Sequence, residues 1–325
     1  MDGAVPTLDD VRAAAARIAP LAVPTPVVRS PELDAQVGAT VLLKVEAFQR
    51  TGTFKFRGAC NFIRRIPEAD RARGVVAWSS GNHAQGVAAA AALHRMAATI
   101  VMPDDAPAPK RSGTERYGAS VVAYDRRRES REEIGRAIAA DTGATVVPPF
   151  DHTWTIEGQG TVGLELAEQA GAAGLDLDAV LVPCSGGGLV SGVAIGLGAG
   201  QAGAEVYAVE PAGCDDTARS LAAGERVANP PDADSICDAL LVPIPGEVTF
   251  PIMQERLAGA LAVSDEEVLA AMRYAFRVLK IVLEPGGAAG LAALLAGRIE
   301  APGGAVAVVL SGGNVDPELF AAVIR

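Results

Sequence analysis

Short runs rich in valine and isoleucine alternate with alanine-rich helical patterns along nearly the whole chain. This alternation is typical of parallel α/β layers, in which helices cover the faces of a sheet. Helices are expected to begin near Asn82 and near Ser130, and Thr7 with Asp10 forms a capping-box pattern at the first helix. The candidate strands are 41–45, 74–78, 98–102, 120–124, 144–148, 179–183, 205–209 and 305–310.

The spacing of these strands predicts two sheets. Closely spaced strand–helix units between residues 73 and 150 favour a small sheet of their own, and the first strand then joins the later ones. We therefore predict a small domain over 73–150 and a large domain over 1–72 and 151–325. Proline and glycine predict loops at 229–234 and 241–247. A cleft between two such sheets is a usual place for a ligand.

Composition excludes several classes of partner. The formal net charge of −11 argues against nucleic acid, which requires a face rich in lysine and arginine. No apolar run approaches the length of a membrane span, and the acidic start MDGAVPTLDD lacks a signal-peptide pattern. The cysteines lie far apart with no CxxC pair, which suggests a reducing compartment. We expect a cytoplasmic protein with neither nucleic-acid nor membrane partners.

One lysine stands in an unusual setting. Lys55 lies between Phe54 and Phe56 in the stretch TGTFKFRGA. Aromatic neighbours remove water from the amine, and desolvation lowers the pKa of a lysine because it disfavours the ammonium form. A neutral amine is a nucleophile towards carbonyl groups, so this stretch predicts a lysine that reacts with a carbonyl.

Three loops follow candidate strands and could hold one ligand. The glycines of CSGGGLVSG (184–192) could direct backbone N–H groups at a phosphate, or simply form a tight turn. The loop SSGNHAQG (79–86) could bind a carboxylate or only cap a helix, with His83 favoured as a buried imidazole bound to backbone. In SGGN (311–314), the Ser311 hydroxyl can face a cleft. A carbonyl, a phosphate and a ring nitrogen together describe pyridoxal phosphate.

Two other interpretations compete with this one. Gly186, Gly188 and Gly192, with Glu210 at the end of the next strand, resemble a dinucleotide site and predict a nicotinamide-dependent oxidoreductase. That interpretation leaves Lys55 unexplained. A non-catalytic binding protein is the other alternative, and the intact Lys55 argues against it.

The motifs TGTFKFRGA, SSGNHAQG, CSGGGL and SGGN, in this order and spacing, resemble the pyridoxal-phosphate enzymes of fold type II, the tryptophan-synthase β fold. Within that fold the chain is similar to the threonine/serine dehydratase and serine racemase group, over about residues 5–320. The resemblance implies two α/β domains, each a mostly parallel sheet flanked by helices, with the cofactor in the cleft between them. It implies that 1–72 and 151–325 form the large cofactor-binding domain and that 73–150 form the small mobile domain. It also implies a homodimer.

The resemblance assigns roles by position. Lys55 matches the lysine that forms an imine with the cofactor, Asn82 the residue at its phenolic oxygen, and Ser311 the hydroxyl at its pyridine nitrogen. Phe54 and Glu284 match positions near the cofactor, with no role derived for Glu284. The phosphate loop corresponds to Ser185, Gly186, Gly187, Gly188 and Leu189, although the family often has glycine in place of Ser185. The loop at the substrate carboxylate corresponds to Ser79, Ser80, Gly81, Asn82 and His83.

The implied reaction is the β-elimination of water from a β-hydroxy L-amino acid. A serine at the ring nitrogen makes the ring a weaker electron sink than an aspartate would, which favours prompt loss of a β leaving group. Lys55 would remove the α-proton. The products are ammonia and a 2-oxo acid, namely 2-oxobutanoate from threonine or pyruvate from serine. We predict a threonine/serine ammonia-lyase.

Particular residues keep related activities open. Ser80 matches a serine that serves the second face of the substrate in racemases, whereas Val242 stands where racemases tend to have a hydroxyl. Arg131 matches a substrate-side arginine of racemase and hydroxyaspartate dehydratase types, which leaves 3-hydroxyaspartate as a possible substrate. The alternative to a substrate-binding role is that Arg131 is a solvent-exposed arginine on a helix, paired with a glutamate at i+3 or i+4.

A divalent cation is also implied. The segment VEPAGCDD (209–216) resembles the cation site of this group, with Glu210, the Cys214 carbonyl and Asp216 as ligands. Oxygen ligands suit Mg²⁺ or Ca²⁺. The alternative is an acidic strand end with a helix cap. The chain ends at Arg325, soon after SGGN, so the regulatory domain of biosynthetic threonine dehydratases, and inhibition by isoleucine, are not expected.

Overall fold

The computed structural model describes residues 5–106, 108–300 and 303–325. Residues 1–4 and 301–302, which belong to the predicted large domain, and residue 107 of the predicted small domain lie outside the described residues. Among the helices of the described part, none is long and apolar enough to cross a membrane.

The strands form two sheets. The strands are β1 (Val27–Val28), β2 (Thr40–Val45), β3 (Val75–Trp78), β4 (Ala98–Pro103), β5 (Ser120–Tyr124), β6 (Thr145–Val146), β7 (Ala179–Pro183), β8 (Glu205–Pro211), β9 (Gly259–Val263) and β10 (Ala305–Leu310). The larger sheet has the order β1-β2-β10-β7-β8-β9, and the smaller has the order β5-β4-β3-β6. All pairings are parallel except that of β1 with β2. The smaller sheet takes its strands from within 73–150, while the domain bounds themselves stay a prediction.

Helices cover both sheets. They are α1 (Leu8–Ile18), α2 (Pro31–Val37), α3 (Lys55–Arg65), α4 (Glu68–Arg71), α5 (Asn82–Leu93), α6 (Ala108–Glu115), α7 (Arg131–Thr142), α8 (Thr153–Ala172), α9 (Gly188–Leu197), α10 (Asp216–Ala223), α11 (Thr249–Arg256), α12 (Asp265–Tyr274), α13 (Pro285–Leu295) and α14 (Pro317–Ile324). The predicted starts of α5 and α7 are confirmed, since α5 begins at Asn82 and Ser130 caps α7. The capping box of Thr7 and Asp10 is present at α1.

The predicted strands are all present, although 144–148 contributes only Thr145–Val146. Two short edge strands, β1 and β9, were missed. The β9 sequence GALAV is rich in small residues and has Val263 as its single β-branched residue. Four of its residues are half-buried, so it also lacks the alternation that indicates a strand. Pairing with β8 makes it a strand. The segments 229–234 and 241–247 are loops, as proline and glycine predicted.

Helix α9, which begins in the glycine loop, packs backbone-to-backbone on α8. A Cβ added at Gly163 of α8 would lie 2.3 Å from the Val193 carbonyl oxygen, and one at Gly196 of α9 would lie 2.4 Å from the Gly160 oxygen. Real Cβ atoms do not approach oxygen so closely, so glycine is required at both positions. The contact fixes where the first turn of α9 lies.

Candidate active site

Helix α3, whose first residue is Lys55, is anchored by buried ion pairs. Arg57 is fully buried, and its Nε lies 2.8 Å from Glu46 Oε2 while its Nη1 lies 2.6 Å from Glu165 Oε1. Lys44, also fully buried, pairs with Glu165 at 2.6 Å. Burial by itself lowers the pKa of the Arg57 guanidinium, but the two carboxylates outweigh it and raise that pKa above its ordinary value. This cluster of Lys44, Glu46, Arg57 and Glu165 places the start of α3.

The Lys55 side chain is half-buried beside an aromatic ring. Its Nζ donates to the Pro149 carbonyl oxygen at 2.8 Å and lies 5.1 Å from the centre of the Phe54 ring. Burial lowers the pKa of Lys55 to about 8. The flanking aromatics predicted this direction, yet they act unequally, because Phe56 turns away into the core beneath the smaller sheet. The sequence analysis did not identify Pro149 as the acceptor.

The glycine loop has the shape of an anion cradle. Gly187 adopts φ 94°, in the left-handed region that favours glycine, and α9 begins directly after it. A Cβ at Gly186 would lie 2.3 Å from the Phe150 ring. Thr249 Oγ1 donates to the Gly186 oxygen at 2.6 Å, and the Val242 N–H donates to Ser185 Oγ at 3.0 Å. Backbone N–H groups at the start of a helix in such a loop suit a phosphate.

Asn82 is the point where three loops meet. Its Nδ2 donates to Glu284 Oε1 at 2.7 Å, and its Oδ1 accepts from Asn314 Nδ2 at 2.9 Å. Burial raises the pKa of Glu284 to about 7. Ser311 is buried, and its carbonyl oxygen accepts from the Phe54 N–H at 3.2 Å. The loops around Lys55, Asn82, Glu284 and Ser311 are therefore neighbours in space.

The loop 79–83 is ordered by its own contacts. Ser79 Oγ accepts from the Gly81 N–H at 3.2 Å. His83 is buried, and its Nε2 lies 2.9 Å from the Val147 carbonyl oxygen. Burial lowers the pKa of His83 to about 3, so the ring is neutral. The imidazole is thus tied to backbone, as the sequence analysis favoured, and the role of Ser80 and the loop backbone at a substrate carboxylate stays a prediction.

Arg131 begins α7 with its side chain 44% exposed. Its Nε pairs with Glu132 Oε1 at 2.8 Å. The predicted pairing with a glutamate at i+3 or i+4 was wrong, since Ile134 and Gly135 hold those positions and the neighbouring residue supplies the carboxylate.

The acidic residues after β8 are buried. Glu210 accepts N–H groups of Thr217 and Ala218 at 3.1 and 3.0 Å, and Asp216 Oδ1 accepts from Asn229 at 2.7 Å. Asp216 Oδ2 is buried without a partner. Burial raises the pKa of Glu210 to about 8 and that of Asp216 to about 6.

A metal centre built from side chains alone is absent from the described residues, because no three His, Cys, Asp or Glu residues there are placed to hold an ion. The predicted set needs two carboxylates and the Cys214 carbonyl. It therefore stays a prediction.

The arrangement fits pyridoxal phosphate. Lys55, with its lowered pKa, and the residues Asn82 and Ser311 lie in contacting loops. The segment of Pro149 and Phe150 contacts both Lys55 and the glycine loop at the start of α9. Pro149, Phe150 and Asn314 complete the surroundings and were not singled out from sequence. Pro149 acts through its backbone carbonyl, and Phe150 and Asn314 act through contacts with residues distant along the chain. Their residue types therefore do not indicate a role in the site. Asn314 does end the SGGN motif.

Comparisons with known proteins agree with this geometry. The family model for pyridoxal-phosphate dependent enzymes matches residues 18–312. The chain is 46% identical over 316 residues to L-threo-3-hydroxyaspartate ammonia-lyase of a Pseudomonas species, covering 97% of this chain and 98% of that one. It is 42% identical over 321 residues to the Saccharomyces cerevisiae protein of the same name, covering 98% and 97%. The structure of maize serine racemase superimposes with a TM-score of 0.92 at 38% identity, covering 98% and 97%.

The chain therefore belongs to the pyridoxal-phosphate dependent enzymes of fold type II. The predicted α/β fold, with parallel sheets flanked by helices, is confirmed. Family membership replaces the dinucleotide interpretation of the glycine loop, and Glu210, the residue assigned there to a ribose, is occupied by backbone N–H groups. The homodimer stays a prediction.

We expect the amine of Lys55 to react at unusually low pH. In cofactor-free protein, modification of Lys55 by an amine-selective reagent, followed by peptide mass spectrometry, should be half-maximal near pH 8, because burial lowers that pKa. Added pyridoxal phosphate should protect Lys55 and leave the exposed Lys280 reactive. A midpoint near the ~10.4 of a free lysine would contradict the buried setting.

Proposed function

We propose that this protein is a pyridoxal-phosphate-dependent ammonia-lyase that dehydrates a β-hydroxy amino acid, with 3-hydroxyaspartate as the preferred substrate. The observation that carries the proposal is identity of 46% and 42%, over nearly the full length, to two enzymes named for that reaction from a bacterium and a yeast. The sequence analysis placed threonine and serine first. They remain the substrates against which 3-hydroxyaspartate must be compared.

The residues that would hold the cofactor are those of the candidate site. Lys55 would bond its aldehyde carbon, the loop 185–189 its phosphate, Asn82 its ring oxygen and Ser311 its ring nitrogen. When bound, the cofactor withdraws electrons from the α-carbon of the substrate. Glu284 would act on the cofactor through Asn82, whose Nδ2 donates to it.

Lys55 is suited to move the α-proton. With a pKa near 8, a useful fraction of the amine is neutral at physiological pH and can accept a proton. The Pro149 carbonyl gives the amine a fixed partner at 2.8 Å. Loss of the α-proton and of the β-hydroxyl as water leaves an enamine, which takes up water to give a 2-oxo acid and ammonia. From 3-hydroxyaspartate the 2-oxo acid is oxaloacetate.

Arg131 is our candidate for the second carboxylate of 3-hydroxyaspartate. Its pair with Glu132 is half-exposed, with side-chain exposures of 44% and 39%. An exposed pair contributes only ~0–1 kcal/mol, so a substrate carboxylate can displace Glu132 at little cost.

Serine racemase is the second candidate. Ser80 is half-buried in the loop next to Asn82, where the family resemblance assigns a second proton donor, and the similarity to maize serine racemase supports this option. Val242 weighs against it, because its side chain offers no hydroxyl and its N–H is used by Ser185.

We also propose that Glu210, the Cys214 carbonyl and Asp216 bind a divalent cation such as Mg²⁺. The unpartnered Asp216 Oδ2 is a buried oxygen in need of a positive partner. Two buried carboxyl groups with raised pKa values also fit, since a nearby cation would stabilise their charged forms.

The substrate is tested by following 2-oxo acid and ammonia together with 3-hydroxyaspartate, serine and threonine. We expect the highest kcat/KM for 3-hydroxyaspartate. Arg131→Gln should lower that value about 10- to 150-fold, as expected for the loss of a charged hydrogen bond of about 1.5–3 kcal/mol, and should leave serine turnover nearly unchanged.

Arg128→Gln is the matched control, because Arg128 is a nearby arginine whose side chain is 85% exposed. Its kcat/KM values should equal those of the parent. Faster turnover of serine or threonine than of 3-hydroxyaspartate in the parent would refute the preferred substrate, and equal losses on all substrates in Arg131→Gln would refute the carboxylate contact.

Ser80→Ala separates elimination from racemisation. Inversion needs a proton donor on the substrate face opposite Lys55, whereas elimination uses the Lys55 face alone. The variant should lose any D-serine formation and keep much of its pyruvate formation. Chiral chromatography of unconsumed serine measures the first and pyruvate release the second, and D-serine forming faster than pyruvate in the parent would make it a racemase.

The cation is tested by thermal unfolding with and without Mg²⁺. A ligand that binds only the folded state raises the melting temperature. Protons compete for carboxyl groups with pKa values of about 8 and 6, so the Mg²⁺ effect should be larger at pH 8 than at pH 6. Asp216→Asn should abolish it, and Asp215→Asn, a change at the more exposed neighbour that pairs with Arg219, should not. An equal rise in melting temperature with Mg²⁺ in Asp216→Asn and Asp215→Asn would exclude this site.

A further inference from the structure

The orientation of the Asn82 amide can be derived from a backbone carbonyl. The oxygen and nitrogen of a side-chain amide have nearly the same shape, so their positions are assigned from their partners. The Thr51 carbonyl oxygen can only accept, and it lies 2.7 Å from Asn314 Nδ2. The nitrogen of the Asn314 amide must therefore face Thr51.

The same nitrogen then determines how Asn82 is turned. Asn314 Nδ2 lies 2.9 Å from Asn82 Oδ1, so the atom of Asn82 that faces it is an acceptor, the oxygen. The nitrogen of Asn82 is consequently on the other side, 2.7 Å from Glu284 Oε1. Both N–H groups of Asn314 and one N–H group of Asn82 are used in this way. One N–H group of Asn82 remains.

The side chains of Asn314 and Glu284 lie directly against glycine backbone. A Cβ at Gly52 would lie 2.4 Å from Asn314 Oδ1, and one at Gly312 would lie 2.1 Å from Glu284 Oε1. The loops that carry these glycines are joined, since the Gly313 N–H donates to the Gly52 oxygen at 2.9 Å. Each amide or carboxylate therefore fills space that only a glycine backbone leaves open.

We propose that Asn314 and Glu284 are positioning residues that hold the Asn82 amide in the one orientation that directs its free N–H at the cofactor's ring oxygen. The proposal rests on the proposed function, because it takes Asn82 as the residue at that oxygen. In the flipped orientation Asn82 would present its own oxygen to an electron-rich oxygen, which is repulsive. These hydrogen bonds also connect the two sheets, because Asn82 follows β3 of the smaller sheet and Asn314 follows β10 of the larger one.

The test is a double-mutant cycle on the holoenzyme, read from the absorbance of the bound cofactor, whose bands depend on the protonation of its ring oxygen. Asn314→Ala should change the ratio of these bands and raise the dissociation constant of the cofactor about 5-fold, as for the loss of one hydrogen bond. If Asn314 acts through Asn82, both changes should disappear when Asn314→Ala is made in an Asn82→Ala background.

Substitutions of Glu284 provide a second, independent test of the positioning role. Glu284→Gln keeps an oxygen that accepts from Asn82 and should retain the parent spectrum, whereas Glu284→Ala should reproduce the spectrum of Asn314→Ala. The matched control is Gln201→Ala, which removes a buried amide bonded to the backbone of Leu175 and Leu177 elsewhere in the fold. It should lower the melting temperature and leave the spectrum unchanged.

The proposal would be overturned if Asn314→Ala changed the band ratio and the dissociation constant as much in the Asn82→Ala background as in the parent. A parent-like spectrum in Asn82→Ala would also overturn it, as would equal spectra for Glu284→Gln and Glu284→Ala. The proposed reaction fails separately. A holoenzyme that shows the expected cycle but releases no ammonia from any β-hydroxy amino acid would support the positioning role and refute the lyase.

Discussion

The buried cluster of Lys44, Glu46, Arg57 and Glu165 is the interaction on which the site depends. Its two cations and two carboxylates come from β2, the turn after it, α3 and α8, so four parts of the chain are held in one place. Removing one partner of a buried pair leaves an uncompensated charge and costs about 3–5 kcal/mol. Since Arg57 is two residues from Lys55, the cost of disturbing this cluster keeps the amine at a defined position.

The site itself is assembled from loops of both sheets. Lys55 and the glycine loop belong to the part of the chain that builds the larger sheet, and Asn82 follows a strand of the smaller one. Each of these loops leaves the carboxyl end of a parallel strand or the start of a helix, where backbone N–H groups are free to bind a ligand. Contacts such as that of Asn82 with Glu284 then tie the two sheets together at the place where the reaction would occur.

Sequence reasoning was most successful where residue type and chemistry coincide. The lowered pKa of Lys55 follows from its apolar neighbours, and the glycines at 186–188 follow from a turn that needs bare backbone. It could not foresee the Pro149 carbonyl, because a backbone oxygen looks the same at every residue. It gave no role to Glu284, since the hydrogen bond that explains it comes from Asn82, 202 positions away. It mispaired Arg131, although the sequence itself places Ile134 and Gly135, and no glutamate, three and four residues further on.

The glycine contact between α8 and α9 has a consequence for protein engineering. Where two helices touch through their backbones, no side chain is present that could be repacked to absorb a change, so the glycine-loop end of the candidate site tolerates little redesign. The side chains of Ser80 and Arg131 are half-exposed and take no part in this contact. Libraries aimed at new amino-acid substrates are therefore best confined to half-exposed positions such as Ser80 and Arg131, with α8, α9 and the contacts of Asn82 kept unchanged.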